Sequence, residues 1–127
     1  ARNWFSKSSS NPHIINMKIS FENKLVVVTG GAKGIGRSTA VAFVQAGAKV
    51  VLLDLDEMGE QTAKELGNSA TFIACDVAKS ENVVKTFQII EEKFSKIDVL
   101  VNNAGIQTYG SVTDTDEALW DHTMNVN

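Results

Sequence analysis

The chain has 127 residues, 43% of them apolar, and a net charge of −3, which is the size and balance of one globular domain with a core and no basic excess to recommend nucleic acid as a partner. No apolar run reaches the roughly 20 residues that a membrane-spanning helix needs, and His13 and His122 have no second His, Cys or acid at ligand spacing, so neither a membrane nor a metal is expected. Cys75 is the only cysteine and cannot form an internal disulfide, which suits a reducing compartment and makes the cytoplasm the expected location.

Residues 1–16 stand apart. They carry Arg2 and Lys7 without an acid, the run Ser8-Ser9-Ser10 and the only proline, Pro12. We read them as a leader, a tag or vector remnant, or a disordered segment; an organelle transit segment shares the acid-poor, Ser-rich composition. The folded domain is then expected over residues 17–127.

From Met17 onward, short β-branched runs alternate with helical stretches, the pattern of a parallel sheet covered by helices. The first strand is Leu25–Thr29. It leads into Thr29-Gly30-Gly31-Ala32-Lys33-Gly34-Ile35-Gly36, after which Ile35, Thr39, Ala42, Phe43 and Ala46 recur at helical spacing until Gly47. Glycines let backbone approach a ligand closely, and the free N–H groups and positive dipole end of the following helix favour an anion such as a pyrophosphate. The spacing of Gly30, Gly34 and Gly36 departs from G-x-G-x-x-G, and a plain strand-to-helix turn has the same composition.

The second strand, Lys49–Asp54, ends in an acid. At that place a carboxylate accepts hydrogen bonds from the hydroxyls of an adenosine ribose and repels a 2′-phosphate; it also suits a simple cap for the next helix. That helix runs from Glu57 to Leu66 and is closed by Gly67. Lys33 pulls the other way, because a basic residue in the glycine turn can accept the same phosphate.

The third strand, Ala70–Ala74, runs into Cys75, read as a small buried hydrophobe, and Asp76-Val77. Asp76 can accept from an adenine amino group with Val77 beside it, or serve only as a turn residue. Ser80 is the expected cap of a third helix, with Val83, Phe87, Ile90 and Phe94 on one face. The fourth strand, Val99–Asn102, passes into Asn103-Ala104-Gly105, where the asparagines can bond their own backbone or a neighbouring strand. Thr113 with Asp116 forms a capping pair for a fourth helix, whose Leu119, Trp120, Thr123, Met124 and Asn127 share a face. Asn127 is the amide of that face. It should point inward and needs partners there.

Right-handed crossovers put the strands in the order 3-2-1-4, a doubly wound α/β sheet whose crevice opens between the first and fourth strands. The Thr29-Gly30-x-x-x-Gly34-Ile35-Gly36 turn, Asp54, Asp76-Val77 and Asn102-Asn103-Ala104-Gly105, in that order, resemble the short-chain dehydrogenase/reductase family from about Lys18 to Asn127. The resemblance implies a Rossmann-like fold and an NAD(P)-dependent oxidoreductase acting on an alcohol or carbonyl substrate, often as a homo-oligomer assembled through the fourth helix. It further implies that Gly30, Lys33 and Ile35, with Gly34 and Gly36 in the same turn, line the pyrophosphate. Asp54 would hold the ribose, Asp76 and Val77 border the adenine, and Asn103, Ala104 and Gly105 pass under the cofactor. Weighing Asp54 over Lys33, the expected cofactor is NAD, with NADP less favoured. For Asn127 the family pattern implies support of a proton relay with a catalytic lysine, whereas the residues alone fit a buried structural asparagine equally well.

The family's reaction uses a tyrosine, a lysine four residues later and a serine. Here the only tyrosine is Tyr109, and Thr113 stands four residues on. A tyrosine without a cationic neighbour, with a pKa near 10, is a poor base at neutral pH. The resemblance therefore implies the N-terminal, cofactor-binding part of a longer enzyme, catalytically silent by itself. The alternative is a short nucleotide-binding or interaction module without catalysis.

Overall fold

The computed structural model describes residues 19–127, so the expected leader, His13 and the first two residues of the expected domain lie outside the described residues. Four strands, β1 (Leu25–Thr29), β2 (Lys49–Asp54), β3 (Ala70–Ala74) and β4 (Val99–Val101), alternate with α1 (Gly34–Gln45), α2 (Met58–Leu66), α3 (Ser80–Phe94) and α4 (Glu117–Val126). The strands form one parallel sheet in the order β3-β2-β1-β4, as the crossover rule requires. Val27 is the pivot of the register, opposite Val51 on one side and Leu100 on the other.

Side chains alternate across a strand, so the apolar runs of β1 and β2 feed two cores. Val26, Val28, Val50 and Leu52 pack with Ala40 of α1 and Ala63 of α2, while Val27, Val51 and Leu53 pack with Cys75 and Ile90 on the α3 side. Cys75 is the buried small residue expected of it. Val83, Phe87 and Phe94 join Ile90 on the expected face of α3.

The helix ends differ from expectation in ways that follow from side-chain chemistry. α1 buries Gly36 and Ala40, with Phe43 and Val44 partly buried, whereas Ile35 is 78% exposed. The cause is steric: Gly36 lies so close to the Gly30 carbonyl that a Cβ there would collide with it, and this contact turns Ile35 outward. α2 starts at Met58 because the Asp56 carboxylate accepts the Met58 N–H at 3.0 Å. Ser80 does not cap α3. Lys79 holds the capping position without a side-chain bond, and the preceding turn is closed instead by Asp76, which accepts the Ala78 N–H at 3.1 Å, and by Asn82, which accepts the Asp76 N–H.

At α4 the cap is Asp116 itself, accepting the Leu119 N–H at 2.7 Å, while Thr113 bonds Ser111. Its apolar face is also shifted: Trp120 and Met124 are exposed, and Leu119, Thr123 and Val126 form the half-buried side. α4 lies over the segment that follows β4, not over the sheet, which leaves it without a fully buried residue. β4 itself stops at Val101, one residue short of expectation. There the Thr29 hydroxyl donates to the Val101 carbonyl, and Asn102 is exposed.

Candidate functional site

The carboxyl ends of the strands open on a cleft of about 480 Å³. Gly30, Lys33 and Ile35 approach it from the turn after β1, Asp54 from β2, Asp76 and Val77 from the segment after β3, and Asn103, Ala104 and Gly105 from the segment after β4. The fold thus brings these sequence-picked residues to one place. Gly34 and Gly36 are outside the lining: Gly34 is exposed, and Gly36 is packed beneath the turn.

The turn is held rigidly from below. Gly30 adopts φ +64°, where side chains are strained, and a Cβ on it would stand 2.9 Å from the Ala104 Cα. The Asn103 carboxamide donates to the Thr29 and Gly30 carbonyls at 3.0 and 3.1 Å, and the Thr29 hydroxyl accepts the Asn103 and Ala104 N–H groups at 3.0 and 2.9 Å. On the other side, the Ala32 N–H donates to Asp54 at 3.0 Å and its carbonyl accepts from the buried Thr62 hydroxyl at 2.7 Å. Every one of these bonds joins segments distant in sequence.

The start of α1 is open to an anion. Lys33, at the capping position, supplies no side-chain acceptor, and the first turn carries no acid, so the free N–H groups and the positive dipole end have no built-in negative partner. Gly30 and Gly36 leave no room for a Cβ against Ala104, Asn103 and the Gly30 carbonyl, so the turn packs tightly on the segment after β4, and its donor set at the start of α1 suits an anionic group.

Charge at the far end is set by Asp54, Asp56 and Asp76 with Lys33 and Lys79. The Asp54 carboxylate spans the Ala32 and Asp56 N–H groups, each at 3.0 Å. Lys33 reaches Asp56 at 2.9 Å. The hydrogen bond and charge of Asp56 raise the Lys33 pKa, and the Met58 N–H together with Lys33 lowers that of Asp56, so the pair is ionised at neutral pH. Asp76 bonds the Ala78 N–H and lies 3.4 Å from Lys79.

Asn127 is exposed, not buried, and does not line the cleft. Its carboxamide accepts the Ile106 N–H at 2.8 Å and donates to the Ile106 carbonyl at 3.0 Å, so the partners an inward amide was expected to need are one backbone unit in the segment after β4. Ile106 does line the cleft, as do Leu53, Leu55, Cys75, His122 and Val126, which sequence reasoning missed. Leu55 had a usable signal in its position directly after Asp54. His122 and Val126 lie one turn apart on α4, a spacing that is legible, but nothing local says that this side of α4 meets the cleft. Tyr109 is 84% exposed.

Among the described residues no group of three or more His, Cys, Asp or Glu is placed to hold a metal ion, and no helix is long and apolar enough to cross a membrane.

Comparison with known proteins adds a family match over residues 24–127, to the model described as short chain dehydrogenase. The chain is 44% identical over 114 residues to an uncharacterized oxidoreductase of Thermotoga maritima, covering 86% of this chain and 44% of that protein. A short-chain dehydrogenase/reductase of Brucella melitensis, titled glucose/ribitol dehydrogenase, superposes with a TM-score of 0.82 at 36% identity, covering 87% of this chain and 48% of that one. The 3-ketoacyl-(acyl-carrier-protein) reductase of the same organism, complexed with NADH, gives 0.80 at 35% identity, covering 84% of this chain and 45% of that one. The chain therefore spans less than half the length of each of these relatives.

Proposed function

Because this chain belongs to the short-chain dehydrogenase family, we propose that it is the dinucleotide-binding half of an NAD(P)-dependent oxidoreductase, which moves a hydride between a nicotinamide cofactor and a small alcohol or carbonyl substrate. The observation that carries this reading is the cleft at the ends of β1 and β4, where the acid-free start of α1 meets a glycine turn packed tightly on the segment after β4. The relative complexed with NADH supports the same ligand class.

In this assignment the pyrophosphate lies on Gly30 and Ile35 with Lys33 alongside, and Gly34 and Gly36 shape the turn that carries them. Asp54 takes the adenosine ribose: each of its oxygens accepts one backbone N–H and keeps a lone pair for a ribose hydroxyl. Asp76 and Val77 border the adenine. Asn103, Ala104 and Gly105 support the nicotinamide end, held there by Thr29, and Ile35, Leu55 and Ile106 exclude water from the ring faces. The nicotinamide, when bound, supplies or accepts the hydride. Asn127 holds Ile106 in place, and its amide would support the proton relay in the whole protein.

Asp54 favours NAD over NADP through repulsion of a 2′-phosphate. The whole protein would act on its substrate as a homo-oligomer in a reducing compartment such as the cytoplasm, in keeping with the single free thiol.

Calorimetric titration of NAD, NADH and NADP into the 127-residue polypeptide tests the proposal. Saturable one-site binding, tighter for NAD and NADH than for NADP, is expected without hydride transfer, since Tyr109 has threonine at the fourth following position. Absence of binding would overturn the cleft assignment. Turnover that persists in Tyr109→Phe would overturn the assignment of catalysis to residues outside this chain.

A further inference from the structure

Among the described residues Lys33 is the only lysine or arginine that lines the cleft, and its ammonium reaches the acids at the end of β2, where the ribose is assigned. It is already engaged. Its ammonium lies 2.9 Å from an Asp56 carboxylate oxygen, while the other oxygen of Asp56 accepts the Met58 N–H at 3.0 Å, and the Asp56 N–H donates to Asp54 at 3.0 Å. The acid is thus fixed at two points within the β2-to-α2 turn, and it holds the flexible lysine. Arg37, one turn further along α1, is held in the same way, 2.9 Å from Glu65 of α2.

We propose that Asp56 is a specificity-determining positioning residue: by pairing Lys33 over the turn between β2 and α2, it withholds that cation from a 2′-phosphate and so makes the site select NAD. The inference deepens the NAD assignment above and rests on it. Asp54 alone would face a lysine of opposite preference beside it; Asp54 and Asp56 together leave two carboxylates against one ammonium, a local excess of negative charge exactly opposed to a phosphate's needs. Both partners of the pair are partly or largely in solvent, so the effect is screened by salt.

Asp56→Asn is the informative variant, because an asparagine keeps an oxygen for the Met58 N–H while losing the charge. Titrated with NAD and NADP at low salt, it should shift preference toward NADP by roughly two- to fivefold, the scale of one exposed charge contact, and the shift should shrink at high salt. Adding Lys33→Gln to it should cancel the gain, and Asp56→Glu should restore the parent preference. An unmoved preference in Asp56→Asn with NAD binding retained would overturn the proposal, as would a gain in NADP preference that survives in the double variant. Failure of the parent chain to bind either dinucleotide would instead overturn the underlying cleft assignment and this proposal with it.

Discussion

Asp98 and Leu25 exchange two hydrogen bonds, the Leu25 N–H donating to the Asp98 carboxylate at 2.9 Å and the Asp98 N–H donating to the Leu25 carbonyl at 3.0 Å, so that one acid ties the foot of β4 to the start of β1. The Leu25 N–H, then Lys96 and Lys24, hold the Asp98 carboxyl below its usual range. A folded-state value below the unfolded one means that the contribution is present above about pH 4, the ordinary carboxylate value, and is lost as pH falls through the folded value. Asp98→Asn should therefore lower stability at pH 7 and flatten the fall in stability below pH 4, without abolishing it, because Asp56 and Glu65 are lowered too. Urea unfolding followed by circular dichroism between pH 3 and 7 reads both effects, and equal acid slopes in parent and variant would count against the tie.

Asn103→Ala removes both donors that the carboxamide gives to the Thr29 and Gly30 carbonyls. Two partly buried carbonyls then lose a partner. We expect a loss of about 1–3 kcal/mol in denaturant unfolding and weaker NAD binding, because the turn that leads into α1 is no longer braced. Unchanged stability would mean that water replaces the amide without cost.

Asp54→Ala should weaken NAD by roughly tenfold or more, the scale of hydrogen bonds to a charged acceptor, and should weaken NADP less, since the repulsion of its phosphate goes as well. Paired titrations give the ratio. An identical NADP to NAD ratio in parent and variant would confine Asp54 to its bonds with the Ala32 and Asp56 N–H groups.

The outer side of β4 is the exposed edge of the sheet, since β4 pairs only with β1 among the described residues, and Leu100 on it is 44% exposed. A strand of such apolar composition suits pairing on both sides. The 127-residue polypeptide is expected to self-associate with rising concentration in sedimentation experiments. A monomer at high concentration, with slow amide exchange across Val99 to Val101, would show the edge to be covered.

Local pattern was enough for much of this molecule. β1, β2 and β3 run over the residues that their β-branched composition marks, the order β3-β2-β1-β4 follows from the handedness of the crossovers, and the glycine turn, Asp54, Asp76 and Asn103 reach one cleft because a parallel sheet puts all its strand ends on one side. What the sequence by itself determined is therefore what depends on neighbours along the chain and on the chirality of the backbone. The tertiary structure decided the rest. Ile35 faces outward because Gly36 must pass the Gly30 carbonyl, Lys33 is occupied because Asp56 arrives beside it from the end of β2, and Asn127 bonds Ile106 because α4 folds back over the segment after β4. Each of these is a contact made through space, between groups whose separation is set by how helices and strands pack, and hydrophobic periodicity carries no record of such distances.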